Sequence, residues 1–178
     1  MTSLTFFTAL VVLVGLERLA ELVVSNRNAA WSLARGGRET GRGHYPVMVV
    51  LHTGLLVGML VEAWLRRPSV SPVLAGTMLA LALASQGLRW WCITTLGPHW
   101  NTRVIVVPGL PPVRSGPYRF LRHPNYVAVV VEGVALPLVH AAWVTAAVFT
   151  VANAALLAVR LRVENQALAG LPTSGSTA

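Results

Sequence analysis

Residues 123–164 read HPNYVAVVVEGVALPLVHAAWVTAAVFTVANAALLAVRLRVE. Two apolar runs, at about 125–139 and 141–162, are parted only by the short stretch from Pro137 to His140, which has the look of the turn of a tight hairpin. A bilayer needs about 20 mainly apolar residues per helix. Windows at about 4–24, 46–65 and 71–92 meet that need as well, so the expected fold is an all-α integral membrane protein with about five transmembrane helices. It ends in a C-terminal helical hairpin, and four spans is the fallback.

Composition agrees. Of 178 residues 54% are hydrophobic and 11% charged, with mean hydropathy +0.62, whereas a soluble domain carries roughly 25% charge. The net charge of +8 comes from fourteen arginines and six glutamates, without lysine or aspartate. Such a bias reflects coding composition as much as a selected basic surface, and no basic stripe is interleaved with groove-reading motifs, so nucleic acid is not an expected partner. Cys92 is the single cysteine, which rules out an internal disulfide. The N-terminus lacks a positive n-region and its apolar run continues past Glu17, Arg18 and Glu21, so it reads as a retained first span rather than a cleaved signal. One membrane domain over 1–170 is expected, with a small polar tail at 171–178 that is disordered by composition.

Arginine-rich loops stay cytoplasmic. Arg27, Arg35, Arg38 and Arg42 fall in one connection; Arg89, Arg103, Arg114, Arg119 and Arg122 in another; Arg160 and Arg162 near the C-terminal end. Only Arg66 and Arg67 fall on the other side. Five spans then put the N-terminus outside and the C-terminus in the cytoplasm. The long connection before the hairpin is rich in proline and glycine, with one β-branched run, Val104 to Val107, that suggests a small local hairpin. At about 30 residues it exceeds what a connector requires, and such loops tend to be functional. It is the expected cofactor-binding loop, on the cytoplasmic side.

Within it, Gly116–Tyr126, GPYRFLRHPNY, gathers three aromatic residues, two arginines and a histidine. Pro124 is suited to begin a helix, because its missing N–H is not needed in the first turn. His123 and Tyr126 then stand at the helix mouth, where unpaired N–H groups favour an anion; Arg119 and Arg122 add bidentate donors. Arg160 and Glu164, four apart, share a helix face, and the antiparallel hairpin brings them to the same end. Single arginines and tyrosines at this level also serve as interface anchors, but anchoring explains the whole combination poorly.

The segment SGPYRFLRHPNY, followed by an apolar hairpin and RLRVENQAL, resembles the isoprenylcysteine carboxyl methyltransferase family, helical membrane enzymes that use S-adenosylmethionine. The likeness covers about 97–168, the catalytic and cofactor half. ERLAELVVSNRNAAW and GHYPVMVVLHT further resemble a bacterial subgroup associated with type III polyketide synthases, which methylates alkylresorcinol or alkylpyrone lipids. By position, the resemblance implies that Tyr118 and His123, Pro124, Asn125 and Tyr126 line the cofactor pocket, that Glu164 closes it, and that Arg160 faces the substrate. Leu110 to Val113 matches a backbone stretch near the cofactor, with Val113 in that set; Leu110 stands where the family often has histidine, and Asn165 replaces the second acid of a Glu-Glu pair.

The expected activity is methyl transfer to an oxygen of a lipid-like acceptor, favouring a polyketide. In-line displacement from a sulfonium needs positioning above all, and no metal. A carboxylate or phenolate is already nucleophilic; a neutral phenol or enol needs a base, for which Glu164 and His123 are candidates. Alternatives are a prenylated thiol carboxylate, a quinol or a phospholipid amine as acceptor, an NADPH-dependent membrane reductase of similar fold, and a non-enzymatic membrane protein. Arg18 neutralises Glu21 at i+3, Glu132 is a candidate for the acceptor path, and His52 and Glu62 are expected to hydrogen-bond between helices. Gly54 and Gly58 permit close packing. Trp90, Trp91 and Trp100 mark the interface, with His99 and Asn101 bordering the pocket.

Overall fold

The computed structural model describes residues 2–111 and 113–169. The expected tail at 171–178 lies outside them. Five helices dominate: α1 Thr2–Leu33, α2 His44–Arg66, α3 Pro72–Leu96, α4 Pro124–Leu138 and α5 Trp143–Ala169. Among the described residues α2 and α5 are long and apolar enough to cross a bilayer, and α4 is apolar but shorter. Charged residues interrupt α1 and α3.

α1 runs about nine residues beyond its expected end, because no glycine or proline interrupts SNRNAAWSL before Gly36, whose φ of 77° closes the helix. The added turns scaffold the long loop. Ser25 Oγ takes the Thr102 N–H at 3.0 Å, and the Asn28 amide donates to the Gly97 and Trp100 carbonyls at 3.0 and 2.8 Å. Trp100 is consequently buried rather than placed at an interface.

The β-branched run does form a strand, but not the local hairpin expected. β2 (Val104–Val106) pairs antiparallel with β1 (Arg38–Thr40), Glu39 opposite Ile105. The ribbon therefore ties the α1–α2 connection to the loop after α3, a pairing across more than 60 residues that local sequence does not announce.

α4 packs between α3 and α5, and α5 also against α2. Phe7, Met59, Leu136, Val139 and Phe149 centre the core. Gly133 lets the Phe149 ring lie directly on α4, where a Cβ would collide with it. Gly58 faces Thr145 of α5, while Gly54 faces open space. Large apolar side chains turn outward, Val151 among them at 74% exposure, as a surface facing lipid rather than water requires.

Glu62 meets its interhelical expectation. Its carboxylate accepts the Val144 and Thr145 N–H groups at 3.1 and 2.8 Å and the Thr145 hydroxyl at 2.8 Å, so α2 supplies the cap that the start of α5 lacks. Helix-start N–H groups without partners are costly, and bonds to a charged acceptor are worth about 1.5–3 kcal/mol each. Glu62→Ala is expected to destabilise the purified protein by about 2–3 kcal/mol, read as a lowered midpoint in detergent unfolding. His52 behaves otherwise: its ring bonds the Met48 carbonyl of its own helix at 2.9 Å and meets Phe149 edge-on.

Candidate functional site

His123 immediately precedes α4, Pro124 opens the helix, and Tyr126 sits in its first turn. The chain enters through a 3-10 turn, Gly116–Arg119, that begins at a left-handed Gly116. There Tyr118 is drawn inward against α3 and pairs with the Cys92 thiol, and burial pushes its phenol well above the ordinary range. Tyr118 thus stays protonated at neutral pH and is available only as a hydroxyl.

Near the end of α5, Glu164 faces this mouth. Tyr126 donates its hydroxyl hydrogen to Glu164 Oε2 at 2.5 Å, and His123 Nδ1 lies 3.5 Å from Oε1. The His123 and Tyr126 rings stack at 5.4 Å and 18°. One carboxylate is thereby held by an imidazole and a phenol from the facing helix. Arg160 lies one turn earlier, 5.9 Å over the Tyr126 ring. It does not pair with Glu164. Its guanidinium donates to the Thr102 carbonyl at 2.9 Å and to Met48 Sδ at 2.8 Å, and the side chain is only 6% exposed. Among the described residues no carboxylate approaches within ion-pair distance of it.

Hydrogen-bonding capacity is left over nearby. Asn125 Oδ1 and both side-chain polar atoms of Asn101, one residue from Thr102, are buried without partners. Buried polar atoms are nearly always satisfied, and these stand out beside a guanidinium that has no carboxylate partner among the described residues. Arg122 and Arg119 are exposed at the rim, the latter over Phe120. Val113 is half-buried in the loop; Pro112, in the middle of the expected backbone stretch, lies outside the described residues.

Glu132 is not with this group. It sits deeper on α4 in a second cluster that sequence reading saw only in part. Arg89 of α3 donates to it at 2.5 Å and Arg18 of α1 at 3.1 Å. Arg18 also bonds Glu21 at 2.7 Å, as its i+3 spacing predicts, and Gln86 at 2.7 Å. Glu17 receives the Gln86 amide and the Trp90 indole N–H. Three carboxylates and two guanidiniums interlock α1, α3 and α4. Arg89 is the member that sequence reading does not place: it falls inside the expected third window at 71–92 and within α3, yet counts by its charge with the arginines of the long connection.

A family model described as isoprenylcysteine carboxyl methyltransferase matches residues 78–170. The chain belongs to that family. The match runs from the second turn of α3 through the loop to the end of α5, and so includes His123, Tyr126, Arg160 and Glu164 with the loop that supports them. An uncharacterized protein, YpbQ, of Bacillus subtilis is 36% identical over 162 residues, 91% of this chain and 96% of that one. A Haemophilus influenzae protein, also uncharacterized, is 24% identical over 155 residues, 86% of this chain and 90% of its own length. A shorter likeness, 37% over 59 residues, or 33% of this chain, links it to the heme-binding subunit MsrQ of a protein-methionine-sulfoxide reductase from Agrobacterium fabrum, of which it covers 27%. No solved structure gives a significant match. Membership in the isoprenylcysteine carboxyl methyltransferase family, with the apolar helices, makes this a membrane protein related to methyltransferases.

Proposed function

We propose that this protein is an S-adenosylmethionine-dependent methyltransferase acting on an oxygen of a lipid-like acceptor. The observation that carries the reading is Arg160: a buried guanidinium without a counter-ion among the described residues, one helical turn from a carboxylate held by His123 and Tyr126. Such a pair of opposite charges, not spent on each other, suits a cofactor and acceptor that bring an anion and a cation together. When bound, S-adenosylmethionine supplies an electrophilic methyl on a sulfonium. Asn125, Asn101 and Tyr118 have hydrogen-bonding groups suited to its polar parts, Glu164 to its cationic parts, and Pro124, Arg122 and Val113 complete the surround.

Arg160 orients the acceptor or cofactor carboxylate by bidentate contact. Holding the partners in line supplies much of the acceleration. With a carboxylate or phenolate acceptor no base is required; with a neutral phenol, His123 or Glu164 accepts the proton. An alkylresorcinol or alkylpyrone polyketide is the favoured acceptor, and a prenylated thiol carboxylate, a quinol or a phospholipid amine are the alternatives. We place the site at the cytoplasmic side of a five-span protein with its N-terminus outside. The arginines at this end support that orientation, since Arg27, Arg35, Arg38, Arg42, Arg114, Arg119 and Arg122 are all exposed and arginine-rich loops stay cytoplasmic.

Calorimetry on detergent-purified protein tests the cofactor. Saturable S-adenosylmethionine binding is expected for the wild type, weakened about tenfold or more in His123→Ala and in Glu164→Gln, as for loss of a bond to a charged group. Absence of binding by folded wild type, together with NADPH binding or a heme absorbance band, would favour the reductase reading that the short MsrQ likeness raises.

A further inference from the structure

At the opposite end of α4 from His123 lies a partly open cavity of about 330 Å³, toward the lower end of the range for small-molecule sites. Phe6 and Phe7 of α1, Gly76 and Leu79 of α3, and Val139 and His140 of the hairpin turn line it. The fifteen residues of α4 put roughly 22 Å between the two ends. It is therefore no part of the site already described.

His140 is the unusual wall. It is 4% exposed, its ring lies 5.1 Å from that of Phe7, and neither ring nitrogen has a hydrogen-bond partner among the described residues. A neutral imidazole always carries one N–H, and a donor left unused in an apolar core is a rare arrangement. Both ring nitrogens are covered as the ring lies against Phe7, so the N–H reaches an acceptor in the cavity by rotation about the second side-chain torsion, which is broad for histidine. Everything else in the lining is apolar except Ser3. The helix beginnings of α1 and α3 and the α4–α5 turn meet here, at the ends of the bundle, where phospholipid ester carbonyls border the hydrocarbon.

We propose that the cavity binds a phospholipid, one acyl chain filling the apolar space and its ester carbonyl accepting the His140 N–H. Apolar lining and one unspent donor are together the complement of that part of a lipid, and they do not suit a charged head group or a soluble metabolite.

Native mass spectrometry of the full-length protein, incubated with palmitoyl-oleoyl phosphatidylglycerol and then released from detergent, tests this. Wild type is expected to retain one lipid per chain above the non-specific background. His140→Leu and Gly76→Leu are each expected to lower that occupancy about fivefold or more. An ether-linked analogue without ester carbonyls is expected to bind wild type several-fold more weakly and His140→Leu no differently from the ester lipid. Both variants should fold: the first removes an unsatisfied polar group, and a Cβ at Gly76 meets no atom within 4 Å. Equal occupancy in wild type and both variants, no retention by wild type, or preference for free palmitate over the phospholipid would each overturn the proposal. None of these outcomes depends on methyl transfer.

Discussion

Arg160→Met is expected to leave the protein as stable as the wild type, or slightly more stable, while methyl transfer falls at least about a hundredfold. The two halves of that result have one cause. The guanidinium is buried and no carboxylate of the described residues pairs with it, and a buried charge without a counter-charge is unfavourable. Replacing buried ionic groups by apolar ones of similar volume is often neutral or stabilising. The local costs are the Thr102 carbonyl and the weaker acceptor Met48 Sδ, which lose their donor, and the Tyr126 hydroxyl contact, about 1 kcal/mol for an ordinary bond, set against the relief of the buried charge. The functional loss is larger because the charge is unspent until a ligand supplies the anion, and truncating one partner of a buried charge pair costs about 2–5 kcal/mol. Unfolding midpoints and transfer of labelled methyl to extracted lipids, measured on one preparation, separate the two effects. Arg160→Lys gives the finer reading: charge is kept but the bidentate fork is lost, so activity should fall between the other two. A variant that unfolds readily, or one that keeps full activity, would show that Arg160 serves the fold instead.

The hairpin and the residues at its mouth were legible because each announces itself locally. Pro124 has only one good place in a helix, and Arg160 and Glu164 need only the helical repeat to share a face. What the spacing alone misdescribes is their partnership: Arg160 and Glu164 stand four apart, yet each bonds residues from other elements, and Tyr126 takes the carboxylate. The ribbon escaped for the same reason. Val104–Val106 carries the β-branched signal, but Arg38–Thr40 is three residues, polar and next to glycines, with nothing in it that reads as a strand until its partner is known. Trp100 looked like an interface residue by type; the turns of α1 that cover it come from 70 residues earlier. Conversely, Glu62 could be read as an interhelical acceptor, because an acid in an apolar run must find donors somewhere, although α5 as the donor was not evident.

The same logic sets the largest stability effect at Glu132. Its carboxylate takes donors from both Arg89 and Arg18, and all three belong to helices whose other surfaces are apolar. Charges at such depth persist only in pairs, and removing one member of a buried group is strongly destabilising because the others are left uncompensated. Glu132→Leu should therefore cost about 3–5 kcal/mol, measured as loss of the folded fraction in detergent titrations followed by tryptophan fluorescence. Arg89 is expected to suffer most. It retains only Glu21 at 3.7 Å, whereas Arg18 keeps Glu21 at 2.7 Å and Gln86. Removing the stranded partner as well should then repair much of the damage, so Arg89→Met/Glu132→Leu is expected to be more stable than Glu132→Leu alone. That non-additivity is what direct contact requires. It also decides between two roles for Glu132. If the carboxylate serves only to join α1, α3 and α4, the double variant regains methyl transfer along with its fold. If it also borders the acceptor path, the double variant folds, binds S-adenosylmethionine as the wild type does, and still fails to methylate. Simple additivity of the two losses would mean that the cluster is not held together as the geometry has it.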